Sequence, residues 1–156
     1  MTEQLAAIFR DSISELEPAE PICLEVGTAV AKVMELMRDK RIGCVLVTRD
    51  GVLAGIFSER DVIVKIVGQQ LDADAPIDAY MTPNPESLGV NHAIAFALNR
   101  MSLGGYRHVP LVDAQQKPVG VVSVKDVVDY LVEHFAQGVY NLPPEPGVVP
   151  SSAEGA

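Results

Sequence analysis

The sequence has little aromatic material. Its 156 residues include no tryptophan, and the aromatic fraction is only 5%. A hydrophobic core must therefore be built from aliphatic side chains and methionine, which are plentiful because hydrophobic residues make up 48% of the chain. That content excludes an intrinsically disordered chain. The length suits one domain with a sizeable core or two small halves.

Positive charge is also scarce. The chain has 12 lysine and arginine residues against 21 aspartate and glutamate residues, which gives a net charge of −9. A protein of that sign is repelled by a phosphate backbone, so we expect no general nucleic-acid binding. A local basic pocket could still hold one small anion.

Only two cysteines occur, Cys23 and Cys44, and their positions match neither a disulfide framework nor a metal site. Unpaired cysteines in apolar surroundings are typical of a reducing compartment, which predicts a cytoplasmic protein. No apolar run approaches the roughly 18–20 residues that a membrane span needs. The first residues lack a basic segment and a cleavage site, so we expect no signal peptide.

An internal repeat organises the chain. Pro21 aligns with Pro85 at a shift of 64 residues, and the stretch GIFSERD (55–61) returns as GVVSVKD (120–126) at a shift of 65. The extra residue of the second copy falls in a loop. Two copies are too few for a solenoid, so the repeat predicts two halves that face each other around a pseudo-twofold axis.

Each copy predicts the order β-α-β-β-α in an α+β fold. An extended piece (22–26; 86–90) precedes a helix with an apolar stripe, and two strands and a second helix follow. Asp50-Gly51 predicts a tight hairpin turn in the first copy. The last helix of each copy should run from Ser58 to about Val67 and from Ser123 to about Phe135. The apolar helix stripes at 30–37 and 94–101 exceed what one small module is expected to bury.

The flanking segments differ from the repeats. Residues 1–17 should form an amphipathic N-terminal helix, since apolar residues recur there at near-helical spacing. The first copy then covers 18–68, an acidic solvated linker 69–79, and the second copy 80–136. Residues 137–156 are rich in proline, glycine and serine and should form a flexible tail.

The repeated Ser-x-x-Asp motif has two interpretations. Ser58 with Asp61, and Ser123 with Asp126, could simply cap a helix. The motif could also hold a ligand, because it recurs at the same point of both copies, follows a glycine and has basic residues nearby. An aspartate would repel a phosphate placed beside it but would accept two hydrogen bonds from a cis-diol. This pattern favours a nucleotide held by its ribose at one end and by its phosphate at the other.

With these motifs the chain resembles a tandem pair of CBS domains, a Bateman module, of the stand-alone bacterial type. The matching stretches are YMTPNPESL, MSLGGYRHVPLVD and the two Ser-x-x-Asp ends, within about residues 18–135. The resemblance implies two pseudo-symmetric motifs packed as one module with two clefts between them. It also implies a homodimer and a regulated partner protein.

The resemblance implies two sets of ligand-binding residues. Site 1 would contain Ser58, Arg60, Asp61, Thr82, Pro85, Glu86, Tyr106, Arg107 and His108. Site 2 would contain Pro21, Ile22, Cys23, Ile42, Gly43, Ser123, Lys125 and Asp126. Where the second copy has Arg107-His108 the first copy has Gly43-Cys44. We therefore expect site 1 to bind phosphate better, and site 2 to hold a weakly charged adenosine compound or nothing.

The resemblance implies a non-enzymatic regulatory module that binds AMP, ADP or ATP and needs no cofactor. Two alternatives stay open, namely an assembly domain with empty clefts and a binder of another adenosyl ligand (S-adenosylmethionine, NAD or cyclic di-AMP). An enzyme is the weakest hypothesis. A Ser58–His108–Asp61 catalytic set lacks a Gly-x-Ser-x-Gly elbow, and the chain has no phosphate-binding glycine loop.

Overall fold

The computed structural model describes residues 2–69 and 72–135 of the chain. The helices are α1 (Thr2–Ile8), α2 (Val30–Lys40), α3 (Glu59–Asp61), α4 (Ile94–Gly104) and α5 (Val124–His134). The strands are β1 (Cys23–Glu25), β2 (Cys44–Arg49), β3 (Val52–Ser58), β4 (Thr82–Pro83), β5 (His108–Val112) and β6 (Pro118–Ser123). Short 3-10 helices cover Ile13–Leu16 and Ile77–Ala79, and a π-helix covers Val62–Ile66 directly after α3. The predicted α+β fold of two repeated motifs is confirmed.

The first sheet has the strand order β1-β2-β3-β4. β1 runs parallel to β2, and the other neighbours are antiparallel. The β2–β3 hairpin turns at Asp50-Gly51, where both residues have positive φ angles of 53° and 78°. Those angles are the ones that an Asp-Gly pair tolerates in a tight hairpin, as the sequence predicted.

The second sheet repeats this pattern with fewer paired residues. β5 pairs with β6, and single bridges from Leu88 to Leu111 and from Ala19 to Val121 take the places of the outer strands. The strand expected at 86–90 is thus reduced to one bridge. A proline explains the loss: in the first copy the Leu46 amide donates to the Ile22 carbonyl, whereas the equivalent Pro110 has no N–H to donate.

The segments that precede the two copies are exchanged between them. Ile13 is fully buried in the core of the second copy, and Ile77 is fully buried in the core of the first. Equivalent backbone hydrogen bonds hold them, from Ile13 to the His92 carbonyl and from Ile77 to the Thr28 carbonyl, each at 2.8 Å. The stretch 69–79 is therefore not a purely solvated linker, since the burial of Ile77 anchors its end.

The N-terminal helix expected within residues 1–17 is divided in two. α1 ends at Ile8, and a separate 3-10 helix begins at Ile13 because Ser12 caps it and donates to the Val90 carbonyl at 2.8 Å. No helix within 2–69 and 72–135 is long and apolar enough to cross a membrane. The predicted flexible tail lies outside the described residues.

The apolar stripes of α2 and α4 are buried within the module itself. Val30 and Val33 on α2, like Ile94 and Ala97 on α4, are 0% exposed. The expectation that these stripes exceed what one module buries is therefore wrong, because each helix packs its stripe on its own sheet. Other large apolar side chains are exposed instead, among them Ile63, Val64, Val67, Phe96, Leu103, Val124 and Val128.

Candidate functional site

A cleft of about 680 Å³ lies between the two copies, where β3 passes into α3. This volume is within the range of small-ligand pockets. All nine residues predicted for site 1 lie on its wall: Ser58, Arg60, Asp61, Thr82, Pro85, Glu86, Tyr106, Arg107 and His108. Apolar side chains form another part of the wall, among them Ile56, Ile63, Val64, Pro83 and Pro110.

Asp61 is the buried charge of this cleft, with only 7% of the residue exposed. The amide and the hydroxyl of Ser58 each donate to its Oδ2 atom at 2.8 Å. Its Oδ1 atom accepts from Lys65 Nζ at 2.6 Å and from Thr82 Oγ1 at 3.3 Å. A carboxylate offers about four acceptor positions, so protein donors occupy all of them. Asp61 thus takes part in the helix cap and also lies on the cleft wall.

A close backbone approach brings Thr82 to Asp61. β4 pairs with β3 so that Thr82 lies opposite Ile56 and Pro83 opposite Gly55. A Cβ atom at Gly55 would lie 2.3 Å from Met81 Sδ and 3.1 Å from the Thr82 carbonyl oxygen. The glycine before the Ser-x-x-Asp motif therefore serves strand packing, which in turn positions a second hydroxyl at the carboxylate.

Tyr106 and Glu86 form another part of the wall. The Tyr106 hydroxyl donates to Glu86 Oε2 at 2.8 Å, and Arg100 lies 3.3 Å from the same carboxylate. Partial burial and the neighbouring Glu86 raise the pKa of Tyr106 above its ordinary value. A Cβ atom at Gly104 would lie 1.9 Å from Tyr106 Cε1, so the ring needs a glycine there.

Basic side chains line another part of the cleft. Arg60 reaches across it and donates to the Gly105 carbonyl at the end of α4. Arg107 and His108 lie at the start of β5. Burial lowers the pKa of His108 below its usual value, and Arg107 adds to that effect, while Glu59 and Asp126 oppose it. The imidazole is therefore mainly neutral near pH 7.

Unlike the residues of site 1, the residues predicted for site 2 do not all line one cleft. Ser123 donates to Asp126 Oδ2 through its amide at 2.6 Å and its hydroxyl at 2.8 Å, which repeats the cap of the first copy. Lys125 pairs with Asp129 on the outside of α5. Gly43 lies on the wall of the site 1 cleft, where a Cβ atom would come within 3.2 Å of the His108 ring.

The remaining members of site 2 belong to β1 and to the packing of the first copy. Ile22 and Ile42 pack against the first core, and Cys23 is exposed and pairs with Leu46 in β1–β2. Pro21 lies just before this strand. Site 2 as predicted stays an expectation.

Lys65 was missed in the sequence analysis. It contacts Asp61 from behind, is not among the cleft-lining residues and donates to the Tyr80 carbonyl at 2.7 Å. A spacing of four residues puts Asp61 and Lys65 on one helix face, so the sequence did contain the signal. The Ser-x-x-Asp motif ends at Asp61, so the motif itself does not include Lys65.

Comparison with known protein families gives two matches along the chain. The family model described as "CBS domain" matches residues 13–68 and again residues 77–133. Together these ranges cover most of the chain. Both begin at the buried isoleucines Ile13 and Ile77, which occupy equivalent positions in the exchanged segments.

Relatives of known sequence carry the same name. CBS domain-containing protein CBSCBSPB5 of Arabidopsis thaliana is 32% identical over 120 residues, which cover 75% of this chain and 22% of that protein. The chain thus spans about a fifth of the length of that relative. CBS domain-containing protein YhcV of Bacillus subtilis is 24% identical over 74% of this chain and 82% of its own length.

Solved structures share the fold. A CBS domain protein of Pyrobaculum aerophilum, solved in complex with AMP, is 27% identical with a TM-score of 0.69, covering 78% of this chain and 98% of its own. A CBS-domain containing protein of Agrobacterium tumefaciens is 26% identical with a TM-score of 0.68, covering 76% of this chain and 95% of its own.

Proposed function

The chain belongs to the CBS domain family, and we propose that it is a non-enzymatic regulatory module that binds an adenine nucleotide in site 1. The observation that carries the proposal is the convergence of the nine predicted residues on one cleft between the two copies. The Pyrobaculum aerophilum relative supports the choice of ligand, because that protein was solved with AMP. ADP, ATP and other adenosyl compounds contain the same adenosine group.

The ribose would bind at Asp61. Its four acceptor positions are filled by protein donors, but two of these donors, the hydroxyls of Ser58 and Thr82, belong to the cleft wall. A hydroxyl has one donor and two acceptor positions and can rotate. The ribose diol can therefore replace both donors on Asp61, while the displaced hydroxyls turn to the ligand.

The rest of the nucleotide would use the other parts of the wall. An adenine ring suits the apolar surface that Ile56, Pro83 and Pro110 contribute. The phosphates would point to Arg107 and Arg60, away from Asp61, since like charges repel. Arg60 would then exchange its bond to the Gly105 carbonyl for a charge-assisted bond to phosphate, which is stronger. That exchange would change a contact between the two copies, which gives the module a means of responding to its ligand.

A catalytic role has little support. The Ser58 hydroxyl donates to Asp61, so it is not hydrogen-bonded to an imidazole that could activate it. We propose that the nucleotide is a regulatory ligand and that no cofactor is required. The free cysteines Cys23 and Cys44 favour a reducing compartment such as the cytoplasm.

A homodimer is the second part of the proposal. Ile63 and Val128 occupy equivalent positions in the two copies, and both side chains are exposed. We propose that these two repeated apolar positions belong to the surface that a second copy of the chain covers. Light scattering of the purified protein should give twice the chain mass of 16.7 kDa. A monomer at micromolar concentration would contradict this part.

A thermal unfolding titration tests the ligand. The series contains AMP, ADP, ATP, NAD, S-adenosylmethionine and cyclic di-AMP, with GMP as the control. A ligand at 100 times its dissociation constant adds about 2.7 kcal/mol of stability. We expect a higher midpoint with an adenine nucleotide and none with GMP. No rise with any adenosyl compound would favour the alternative, an assembly domain with empty clefts and a protein partner.

A further inference from the structure

The two copies differ behind their ribose-facing carboxylates. Lys65 Nζ lies 2.6 Å from Asp61 Oδ1 and is held there by the Tyr80 carbonyl at 2.7 Å. Its side chain is 35% exposed and is not among the residues that line the cleft. The ammonium therefore neutralises Asp61 without taking space that a ligand would need.

In the described part of the second copy, no lysine or arginine contacts the equivalent Asp126. Tyr130 stands at the position equivalent to Lys65, and its hydroxyl donates to Asp11 at 3.0 Å instead. Within the described ranges, Asp126 accepts hydrogen bonds only from Ser123, and no lysine or arginine lies within ion-pair distance of it. The two aspartates thus end similar motifs, but among the described residues only Asp61 has an ammonium group in contact with it.

This difference bears on the charge of the ligand. A nucleotide that binds Asp61 through its ribose brings its phosphate close to that carboxylate, because the two groups belong to one small molecule. At a separation of about 8 Å and an effective dielectric constant of about 20, one unpaired negative charge reduces phosphate binding by roughly tenfold or more. A cation in contact with the carboxylate offsets most of that repulsion. A nucleoside has no phosphate and does not experience it.

We propose that Lys65 is a positioning residue that acts through Asp61 and makes site 1 select phosphorylated adenine nucleotides over adenosine. The inference rests on the proposed function, since it concerns the charge of the ligand in the same cleft. Lys65 donates to Oδ1 of Asp61, which also accepts from Thr82, and to the Thr82 hydroxyl at 3.5 Å. Oδ2 accepts from Ser58 and not from Lys65, so the ribose would reach the carboxylate mainly on that side. Site 2 has the same motif without this selection.

The test compares two ligands by isothermal titration calorimetry. AMP and adenosine are titrated into the full chain and into its Lys65→Met and Lys65→Arg variants. Every protein carries Asp126→Asn, so that binding is measured at site 1. Lys40→Met is the matched control, because it removes one positive charge from an exposed lysine of α2 that forms no ion pair with Asp61. Urea unfolding checks that each variant folds, and Lys65→Gln replaces Lys65→Met if that variant does not.

In Lys65→Met we expect the dissociation constant of AMP to rise by roughly tenfold and that of adenosine to change by less than about twofold. Lys65→Arg should keep the preference for AMP, and Lys40→Met should leave it unchanged. A purely structural role would weaken both ligands by the same factor. That result, or an unchanged ratio of the two constants, overturns the inference while the proposed function stands. If the Asp126→Asn parent binds neither ligand, both are overturned.

Discussion

Replacing Asp61 should destabilise the protein more than the same replacement of Asp126, although both residues end a Ser-x-x-Asp motif. Asp61 accepts four hydrogen bonds, including one from the ammonium of Lys65, whereas Asp126 accepts two, both from Ser123. Asp61→Ala would leave the Ser58 amide without its acceptor and the half-buried Lys65 without its anion. Asp126→Ala would leave only a serine amide and hydroxyl.

The magnitudes follow from the partners. A hydrogen bond to a charged group contributes about 1.5–3 kcal/mol, and the ion pair counts for less than its geometry suggests because Lys65 is about one third exposed. We expect Asp61→Ala to lose about 2 kcal/mol more than Asp126→Ala, which is roughly the contribution of one additional hydrogen bond to a charged group. Urea unfolding without ligand measures both. With a slope of 1–3 kcal/mol per molar urea, the midpoints should differ by about 1 M. Equal losses would refute the reasoning, because the extra donors of Asp61 would then contribute nothing.

Three further predictions concern the cleft and the cysteines. Burial keeps the pKa of His108 below that of the unfolded chain, so its contribution to stability is present above pH 6.5 and is lost as the pH falls through the lowered value. His108→Gln should flatten the pH dependence of urea unfolding between about pH 7 and 5, and an unchanged slope would contradict this. Gly104→Ala should displace the Tyr106 ring and weaken AMP binding in calorimetry, and wild-type affinity would show that the ring position is unimportant. Burial raises the pKa of Cys44 to about 12, and partial burial also raises the pKa of Cys23, whose side chain nevertheless stays exposed. A thiol reagent at pH 8 should therefore label Cys23 slowly in the native protein and both thiols in denaturant, and labelling of both in the native protein would contradict this.

Much of the fold could be predicted from the sequence because the repeat shows which residues of the two copies occupy equivalent positions. The shift of 64 residues that aligns Pro21 with Pro85 also relates the pairing of β1 with β2 to the bridge between Leu88 and Leu111. Hydrophobic periodicity and turn residues are local signals, and they gave the helices and the hairpin. The reduced strand at 86–90 follows from Pro110, which lacks the N–H that the equivalent Leu46 donates to the Ile22 carbonyl.

The exchange of the preceding segments could not be predicted in this way. Ile13 and Ile77 are single apolar residues within short segments that separate the predicted elements. Their neighbours in sequence give no sign that each packs in the core of the other copy. The same limit applies to the exposed apolar face. Whether a helix stripe is buried by its own sheet or by a second molecule depends on the packing of the whole module.

For the candidate site, the residues on the cleft wall were predicted from the sequence, whereas Lys65 was not, although its spacing from Asp61 is that of a helical ion pair. The family resemblance named the wall because those residues carry the shared motifs. Lys65 lies outside the motif. Its role becomes visible by comparison with Tyr130, which holds the equivalent position in the second copy and bonds to Asp11 instead of to the motif aspartate. The different environments of Asp61 and Asp126 could not be read from two motifs that look alike.

The central claim is that site 1 binds an adenine nucleotide through Asp61. The most direct measurement is an isothermal titration of AMP into the wild-type protein, Asp61→Asn and Asp126→Asn, with each variant first shown to be folded. The account predicts binding by the wild type, at least about tenfold weaker binding by Asp61→Asn, and retained binding at site 1 by Asp126→Asn. No binding by the wild type, or equal affinity in Asp61→Asn, would contradict it.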